Sequence, residues 1–486
     1  MGVISSLSPA PIWGYFEEIC KIPRISRHEE KIRKYLLRFA SENNLEAKED
    51  SAGNILIIKP PSPGMEDRKT IVLQSHMDMV GEKESGLQHN WLTDPVTPYI
   101  DGKWVTAKGT TLGADDGIGI ATQMAILVSE EIKTGKTECL FTVDEESGMT
   151  GAINLEPGFF EGRTLINLDS EDEGILFIGC AGGIDTVGII RYDSIPSLNN
   201  AGALEISITG LHGGHSGDEI HKGFANSVKL MTRLLLSLAK NFKISIHSFN
   251  GGNLRNAIPR EASVVLNVNT AKTEKVKKWV EDFSRKISKE FEETEKELSI
   301  SVKDSVRPVN TMSETDQEKL LRALNCCPHG VLSWSKDMDD LVETSTNLAS
   351  ISFDDNNTIT IVTTQRSSSE SSKHNAAAIV ESCLKLAGAT VTHSAGYPGW
   401  KPSLNSEILR ITRQSYSDLF GKEPEVRAIH AGLECGLIYE KFKGIDMISF
   451  GPTIRGAHTP EEKIEISTVQ MFWDLLVNVL INIPGR

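Results

Sequence analysis

The chain has 486 residues, of which 39% are hydrophobic and 24% are charged, a composition typical of a globular protein with more than one domain. Its formal net charge of −15 argues against nucleic acid or an anionic membrane as the main partner, and no apolar stretch approaches transmembrane length. The seven cysteines are scattered without CxxC spacing and no signal-peptide pattern is evident, so we expect reduced thiols and a cytoplasmic location.

In the first third of the chain, strand-like apolar runs alternate with helical periodicity. Two helices are predicted within residues 12–42 and a third at about 117–129. Strands are predicted at residues 54–59, 70–74, 138–142 and 164–167. This alternation indicates an α/β domain with a mixed, largely parallel sheet.

The pattern changes near residue 186. A strand-rich segment with long helices follows, including a highly charged helix at about 274–297. A Pro/Gly-punctuated crossing at 397–402 then leads into a final helix, strand, loop and helix. The simplest architecture is a discontinuous α/β domain (residues 1–186 and 400–486) interrupted by an inserted α+β domain (residues 187–399).

Two polar residues follow the apolar run at 70–74. His76 and Asp78 are two positions apart, so on an extended segment they point to the same side. One imidazole nitrogen could then bind a metal while the carboxylate orients the ring. A single pair of this kind also occurs by chance, so the interpretation depends on further ligands.

Carboxylates follow in two further loops. Asp115 and Asp116 lie among glycines just before a predicted helix, where a helix cap is an equally good interpretation. Glu145 and Glu146 follow the strand at 138–142. A solvated surface pair is the ordinary interpretation, but open α/β sheets bind ligands at the carboxyl ends of their strands.

Two more candidates complete a possible metal site. Asp169 follows the strand at 164–167, and His458 lies in a Gly/Pro-shaped loop near the C-terminus. The candidate ligands are His76, Asp115, Glu146, Asp169 and His458. Two imidazoles and three carboxylates could hold two divalent cations if Asp115 bridges them, and they suit zinc, with manganese or cobalt as alternatives. Glu145 would remain free to act as general base and acid.

The order of these motifs resembles that of the co-catalytic zinc peptidases, the family that includes carboxypeptidase G2 and peptidase T. The shared motifs are H-M-D (76–78), G-A-D-D-G (113–117), D-E-E-S-G (144–148), N-L-D-S-E-D (167–172) and G-A-H-T (456–459). Within this family the chain looks most like the aminoacyl-histidine dipeptidases, also called Xaa-His or cytosol non-specific dipeptidases. That likeness rests on G-T-T-L-G-A-D (109–115), L-V-E-T-S-T-N (341–347), Y-P-G-W (397–400) and H-A-G-L-E-C-G (430–436).

The resemblance implies a role for each candidate. Asp115 would bridge the two ions, His76 with Asp169 would complete one site, and Glu146 with His458 would complete the other. Asp78 would orient His76, and Glu145 would be the general acid/base. Asp116 departs from the family pattern, in which we expect Asn, and its extra negative charge would alter metal affinity or the acidity of the bound water.

In the inserted domain, L-H-G-G-H-S-G (211–217) resembles the lid motif of the family. The resemblance implies that His215 helps to bind the scissile carbonyl oxygen, from its own chain or from a partner subunit, and that His212 is structural or solvent-facing. Asn256 and Arg366 look like lid residues that reach the substrate. An arginine fork suits a free carboxylate, although an ordinary surface arginine remains the alternative.

The resemblance therefore implies a cytoplasmic dinuclear metallopeptidase. We expect it to hydrolyse Xaa-His and other short peptides with a free C-terminus, with Glu145 acting on a water activated by two metal ions. An N-acyl amino acid amidohydrolase of the same architecture and a non-catalytic metal- or peptide-binding homologue are the alternatives. We expect a dipeptide substrate and no nucleic-acid or membrane partner. The lid would form a homodimer interface, or its two halves would mimic that interface within one chain.

Overall fold

The computed structural model describes residues 4–197 and 200–485. The chain divides into two compact units. The first, called unit 1 below, comprises Met1–Gly179, Trp400–Ala428 and Leu433–Arg486, and the second, unit 2, comprises Cys180–Gly399 and Ile429–Gly432. Residue 186, where the sequence analysis places a boundary, lies inside a continuous strand, Gly182–Arg191.

The secondary structure follows the chain through three segments. The first contains helices α1 (Ala10–Ile19), α2 (Glu30–Glu42), α3 (Ala114–Val128), α4 (Glu145–Gly148) and α5 (Thr150–Asn154), and strands β1 (Glu46–Glu49), β2 (Ile55–Lys59), β3 (Ile71–His76), β4 (Pro98–Asp101), β5 (Trp104–Ala107), β6 (Thr137–Thr142), β7 (Thr164–Asn167) and β8 (Ile175–Cys180). The second contains strands β9 (Gly182–Arg191), β10 (Ser194–Pro196), β11 (Ala201–Thr209), β12 (Ser245–Gly251), β13 (Ala262–Asn269), β14 (Ser299–Asp304), β15 (Asn310–Met312), β16 (Gly330–Trp334), β17 (Val342–Phe353), β18 (Thr358–Ser367) and β19 (Thr390–His393), and helices α6 (Ser227–Phe242), α7 (Thr273–Glu290), α8 (Glu314–Cys326) and α9 (Glu370–Leu386). The third contains helices α10 (Glu407–Phe420), α11 (Glu434–Lys441) and α12 (Ile466–Ile481), and strands β20 (Glu425–Ile429), β21 (Asp446–Ser449), β22 (Ile454–Arg455) and β23 (Lys463–Glu465).

Unit 1 is built around an eight-stranded mixed sheet of order β1-β2-β6-β3-β7-β21-β8-β20. Its centre is parallel, since β3 pairs in parallel with β6 and β7, and β7 with β21. The central strands β2, β3, β6 and β7 are buried at every residue, as their apolar runs predict. Because parallel strands end at one edge of the sheet, the loops after β3, β6 and β7 open at the same edge.

Unit 2 contains a nine-stranded sheet that runs in the order β14-β11-β13-β12-β17-β18-β9-β19, with β16 also paired to β17. The strand pairs along it are antiparallel. Helices α6–α9 pack with the sheet around one apolar core that includes Leu234, Val264 and Ile361. Unit 2 is thus an α+β unit, in contrast to the α/β arrangement of unit 1.

The predicted fold class is confirmed, with a mixed sheet that is parallel where the candidate ligands lie. Within the described residues, no helix combines the length and apolarity needed to cross a membrane. The seven cysteines, all within the described residues, are thiols that form no disulfide bond.

Candidate active site

His76 is the last residue of β3 and is 1% exposed. Its two ring nitrogens face different groups. Nδ1 is 3.4 Å from Oδ1 of Asp78, whereas Nε2 is 3.0 Å from Oδ1 of Asp115 and 3.6 Å from Oδ1 of Asp169. The imidazole therefore has one nitrogen toward candidate ligands and the other toward an orienting carboxylate, as the spacing of His76 and Asp78 predicts.

Asp78 also contacts the loop after β6. Its Oδ1 accepts a hydrogen bond from the backbone N–H of Glu145 (3.0 Å), and its Oδ2 accepts one from that of Glu146 (3.1 Å) and one from the Ser26 hydroxyl (2.8 Å). The carboxylate is fully buried. Asp78 thus positions the adjacent glutamates as well as His76, a contact that the sequence spacing did not reveal.

Asp115 lies between two imidazoles. Its Oδ1 is 3.0 Å from Nε2 of His76, and its Oδ2 is 3.2 Å from Nε2 of His458. The same His458 nitrogen is 2.9 Å from Oε2 of Glu146. One carboxylate therefore contacts both histidines through separate oxygens, which is the arrangement that a ligand shared by two metal ions needs.

Overlapping groups of these side chains could each hold a metal ion, because their ligand atoms lie within 4.8 Å of one another. The groups are His76 with Asp116 and Asp169, His76 with Glu145 and Glu146, and Asp115 with Glu146 and His458. The five predicted ligands thus lie in one cluster. The last group contains the residues predicted for the second metal site.

The cluster concentrates buried negative charge. Burial raises the pKa of Glu145, Glu146 and Asp169. Burial also opposes ionisation of Asp115, but its hydrogen bonds with the two imidazoles outweigh burial and hold its pKa below the usual range. Hydrogen bonds to Asp115 and Glu146 raise the pKa of His458 to about 11. A divalent cation would supply the positive charge that these carboxylates otherwise draw from protons.

The donor atoms fit such a cation. Within the described residues, Oε1 of Glu146 is buried without a hydrogen-bond partner, although a buried carboxylate oxygen normally has one. Imidazole nitrogens mixed with carboxylate oxygens suit zinc, and manganese or cobalt can share such ligands. The residues present therefore fit a divalent cation.

Asp116 differs from its neighbour. It is 1% exposed, and its Oδ1 accepts a hydrogen bond from the N–H of Gly119 at 3.1 Å. The backbone of α3 is non-helical at Asp115 and Asp116, so Asp116 caps the regular part of the helix that follows. A Cβ on Gly119 would lie 2.3 Å from that oxygen, which explains the glycine there. Burial and the charge of Asp169 raise the pKa of Asp116 well above its usual range, which disfavours the extra negative charge expected from the sequence.

Glu434 is a buried acid that sequence reasoning did not assign to the site. Its Oε2 accepts hydrogen bonds from Gln74 Nε2 (2.7 Å) and Thr142 Oγ1 (2.6 Å), and burial raises its pKa to about 7. The charge of Glu434 also contributes to the raised pKa of Glu145. Glu434 lies within the motif at 430–436, but the sequence analysis assigned no role to it.

The three candidates in unit 2 lie on adjoining segments. His215 forms a β-bridge with Ala257, next to Asn256, and the carbonyl of Asn256 accepts a hydrogen bond from the N–H of Ser216 at 2.8 Å. The Asn347 side chain on β17 donates to the Ala257 carbonyl at 2.8 Å. β17 in turn pairs with β18, which contains Arg366.

Arg366 is only 6% exposed, which rules out an ordinary surface arginine. Its Nη1 donates to the hydroxyl of Tyr397 at 2.7 Å, and it pairs across the strands with Ser345. Nε2 of His430 is 2.7 Å from the Ser345 hydroxyl, and burial lowers the pKa of His430 to about 3, so this imidazole is neutral. Tyr397 and His430 belong to the motifs at 397–400 and 430–436, but the sequence analysis predicted no contacts for them.

The other lid histidine, His212, has structural contacts. Its ring stacks on Phe224 with 4.1 Å between the centroids, and its backbone N–H donates to the Glu295 carboxylate. Nδ1 of His215 instead accepts hydrogen bonds from the N–H groups of Gly217 and Asp218, at 3.3 and 3.2 Å. That leaves Nε2 as the His215 nitrogen for any substrate contact.

Comparison with known proteins gives consistent matches over most of the chain. The model of peptidase family M20/M25/M40 matches residues 72–482. The chain is 41% identical to the cytosol non-specific dipeptidase of Escherichia coli (strain K12), over the full length of both proteins. The crystal structure of aminoacylhistidine dipeptidase from Vibrio alginolyticus superposes with a TM-score of 0.93 at 42% identity, covering 99% of this chain and 98% of that one. The aminopeptidase PepT of Bacillus cereus ATCC 10987, with a TM-score of 0.58 and 16% identity over 98% of this chain and 99% of its own, shares the fold. The motifs, the fold and the family match agree, and the chain belongs to peptidase family M20/M25/M40.

Proposed function

We propose that the protein is a metal-dependent dipeptidase that hydrolyses short peptides with a free C-terminus, with broad specificity that includes Xaa-His dipeptides. The observation that carries the proposal is Asp115, which contacts two imidazoles through separate oxygens in the cluster that also includes Glu145. The full-length likeness to a protein named as a non-specific dipeptidase supports the substrate class. The same name supports a cytoplasmic location.

Two divalent cations, with zinc preferred over manganese or cobalt, would occupy the cluster. Asp115 would be shared, His76 and Asp169 would bind one ion, and Glu146 and His458 would bind the other. When bound, the ions would supply Lewis-acid activation of the attacking water and the scissile carbonyl.

Glu145 is proposed to move the proton. The Asp78 carboxylate accepts the backbone N–H of Glu145, and burial raises the pKa of the Glu145 side chain, the direction that favours holding a proton. The water oxygen bonds to the carbonyl carbon as Glu145 takes its proton. Glu145 then delivers that proton to the amide nitrogen, and the C–N bond breaks to give a carboxylic acid and an amine. The acid passes its remaining proton to the amine, so the products are a carboxylate and an ammonium group.

Unit 2 is proposed to supply the substrate-binding groups. The buried Arg366 guanidinium, held by Tyr397, suits the free carboxylate of a short peptide. Asn256 would bind the peptide backbone and His215 the scissile carbonyl oxygen. A monomeric active species would require His215 to act within one chain. A homodimer formed through this unit would allow His215 to act across the two subunits.

The test compares two substrate classes on metal-free protein reloaded with Zn²⁺, Mn²⁺ or Co²⁺. We expect turnover of Xaa-His and other dipeptides, and little turnover of acetylated or succinylated amino acids. The opposite preference would support an N-acyl amino acid amidohydrolase. Metal binding without turnover of either class would support a non-catalytic homologue.

A further inference from the structure

The loop that leads into Asp115 is held by one distant carboxylate. Oε2 of Glu462 accepts hydrogen bonds from the N–H groups of Leu112 (2.8 Å) and Gly113 (2.9 Å). Its Oε1 accepts those of Ala114 (2.7 Å) and Asp115 (3.3 Å). Gly113 has a φ of 69°, which turns these successive N–H groups toward a single anion.

An arginine holds the same loop through its carbonyl side. Nη2 of Arg24 donates to the Gly113 carbonyl, while Nη1 donates to the carbonyls of Met77 (3.0 Å) and Asp78 (2.7 Å). A Cβ on Gly117 would lie 2.5 Å from Nη2, so the glycine leaves room for the guanidinium. Arg24 thus joins the loop after β3 to the loop before α3.

These contacts use charges that are costly to bury. Arg24 and Glu462 are each 2% exposed, and the hydrogen bonds described above join them to main-chain groups. A buried charge costs several kcal/mol unless hydrogen bonds compensate it. Here the compensating groups belong to the segments that contain His76, Asp78 and Asp115.

Glu462 also links two ligand loops, because it lies four residues after His458 in the same connection between β22 and β23. We propose that Glu462 and Arg24 are positioning residues that hold Asp115 where it can be shared between two metal ions. The inference rests on the dinuclear site of the proposed function. It assigns the position of Asp115 to two buried side chains whose hydrogen bonds, within the described residues, go to main-chain atoms.

The test variant is Glu462→Gln, which preserves shape but replaces one acceptor oxygen by an NH₂ group facing two N–H donors. Glu461→Gln is the matched control, because Glu461 is the exposed neighbour in the same loop. Metal-free proteins are titrated with Co²⁺ by calorimetry. The electron paramagnetic resonance of the loaded forms then reports magnetic coupling between two cobalt ions that share a carboxylate.

We expect wild type and Glu461→Gln to bind two Co²⁺ ions with a coupled signal. Glu462→Gln should bind the second ion about 10- to 100-fold more weakly and lose the coupling, the loss that outer hydrogen-bond partners of metal sites typically cause. Two ions bound by Glu462→Gln within twofold of wild-type affinity, with the coupling intact, would overturn the inference while leaving the proposed function standing.

If wild type itself binds fewer than two ions, the dinuclear proposal fails and the inference fails with it. If Glu462→Gln does not fold, judged by circular dichroism of the metal-free protein, Arg24→Lys decides. A lysine keeps the charge but cannot donate to three carbonyls with a planar fork. The expected and the overturning results are the same as for Glu462→Gln.

Discussion

Asp78 illustrates how one residue can support two functions. Its carboxylate lies 3.4 Å from Nδ1 of His76 and accepts the N–H groups of Glu145 and Glu146. It therefore orients a candidate metal ligand and the candidate proton carrier together. Loss of this side chain should affect both metal affinity and rate, without removing an atom that binds metal.

For Asp78→Ala we expect metal affinity about 10- to 100-fold weaker, since outer partners of metal ligands contribute on that scale. At saturating metal, kcat should still fall, because the Glu145 backbone loses its acceptor. Calorimetric metal titration and dipeptide kinetics measure the two effects. Asp101→Ala, an exposed residue on β4, is the control. Unchanged metal affinity and kcat would contradict the role assigned to Asp78.

For Glu145→Ala we expect two metal ions to bind with near wild-type affinity and dipeptide hydrolysis to fall by about 10²- to 10⁴-fold, the usual contribution of a general acid/base. Metal analysis and initial rates at saturating substrate provide the measurement. Glu156→Ala, an exposed acid of unit 1, should behave as wild type. Wild-type turnover by Glu145→Ala would remove Glu145 from the mechanism.

For Arg366→Lys we expect KM for dipeptides to rise about 10-fold or more, because an ammonium cannot replace a two-pronged guanidinium contact with a carboxylate. The rate for C-terminally amidated dipeptides, which lack that carboxylate, should change little. Lys222→Arg serves as a control. Within the described residues, the ion pair of Lys222 is with Glu219. Equal losses on free and amidated peptides would count against a carboxylate contact.

At the scale of elements, strand direction and loop geometry bring the site together. The parallel pairing of β6, β3 and β7 places His76 opposite Thr142 and Gln74 opposite Asn167, so the loops that follow are adjacent. In unit 2 the antiparallel pair β17–β18 aligns Arg366 with Ser345. The sequence predicted β3, β6 and β7 from their apolar runs, but the residue-to-residue register emerges only in the folded sheet.

A half-buried histidine, His329, contacts the residue that caps helix α6. Asn226 caps α6 by accepting the N–H groups of Val228 and Lys229, and its side-chain NH₂ lies 3.3 Å from Nδ1 of His329. Burial lowers the pKa of His329 to about 4, so the folded protein keeps this imidazole neutral. In the unfolded chain the same imidazole has an ordinary pKa of about 6.5, so it binds a proton when the pH is lower than that.

Stability should therefore fall as the pH drops from about 6.5 toward 4, by roughly 1.4 kcal/mol per pH unit from this group, and it should be fully retained above 6.5. His329→Gln removes the titration. Melting temperatures of the metal-free proteins at pH 7.5 and 5.5 should show a smaller acid shift for His329→Gln than for wild type. His374→Gln, at an exposed histidine, should keep the wild-type shift. Identical acid shifts in all three proteins would refute the assignment.

At the scale of the whole molecule, unit 1 is assembled from three stretches of chain separated by unit 2. Four of the candidate ligands lie in the first of these stretches, and the fifth, His458, lies in the last. Such a site cannot form until distant segments pair, for example β21 with β7. The family motifs could be read along the chain because each one lies within a short loop.

The sequence by itself determined the family, the α/β class and the types of residue at the site. These follow from local patterns: apolar runs that form buried strands, and His, Asp or Glu where those strands end. Tertiary structure alone decided which groups hold the ligands in place. Glu462 contacts Gly113 across 349 positions, Tyr397 contacts Arg366 across 31, and Arg24 contacts Gly113 across 89. No periodicity or short motif encodes such contacts, because they depend on how separate loops approach one another once the sheets have formed.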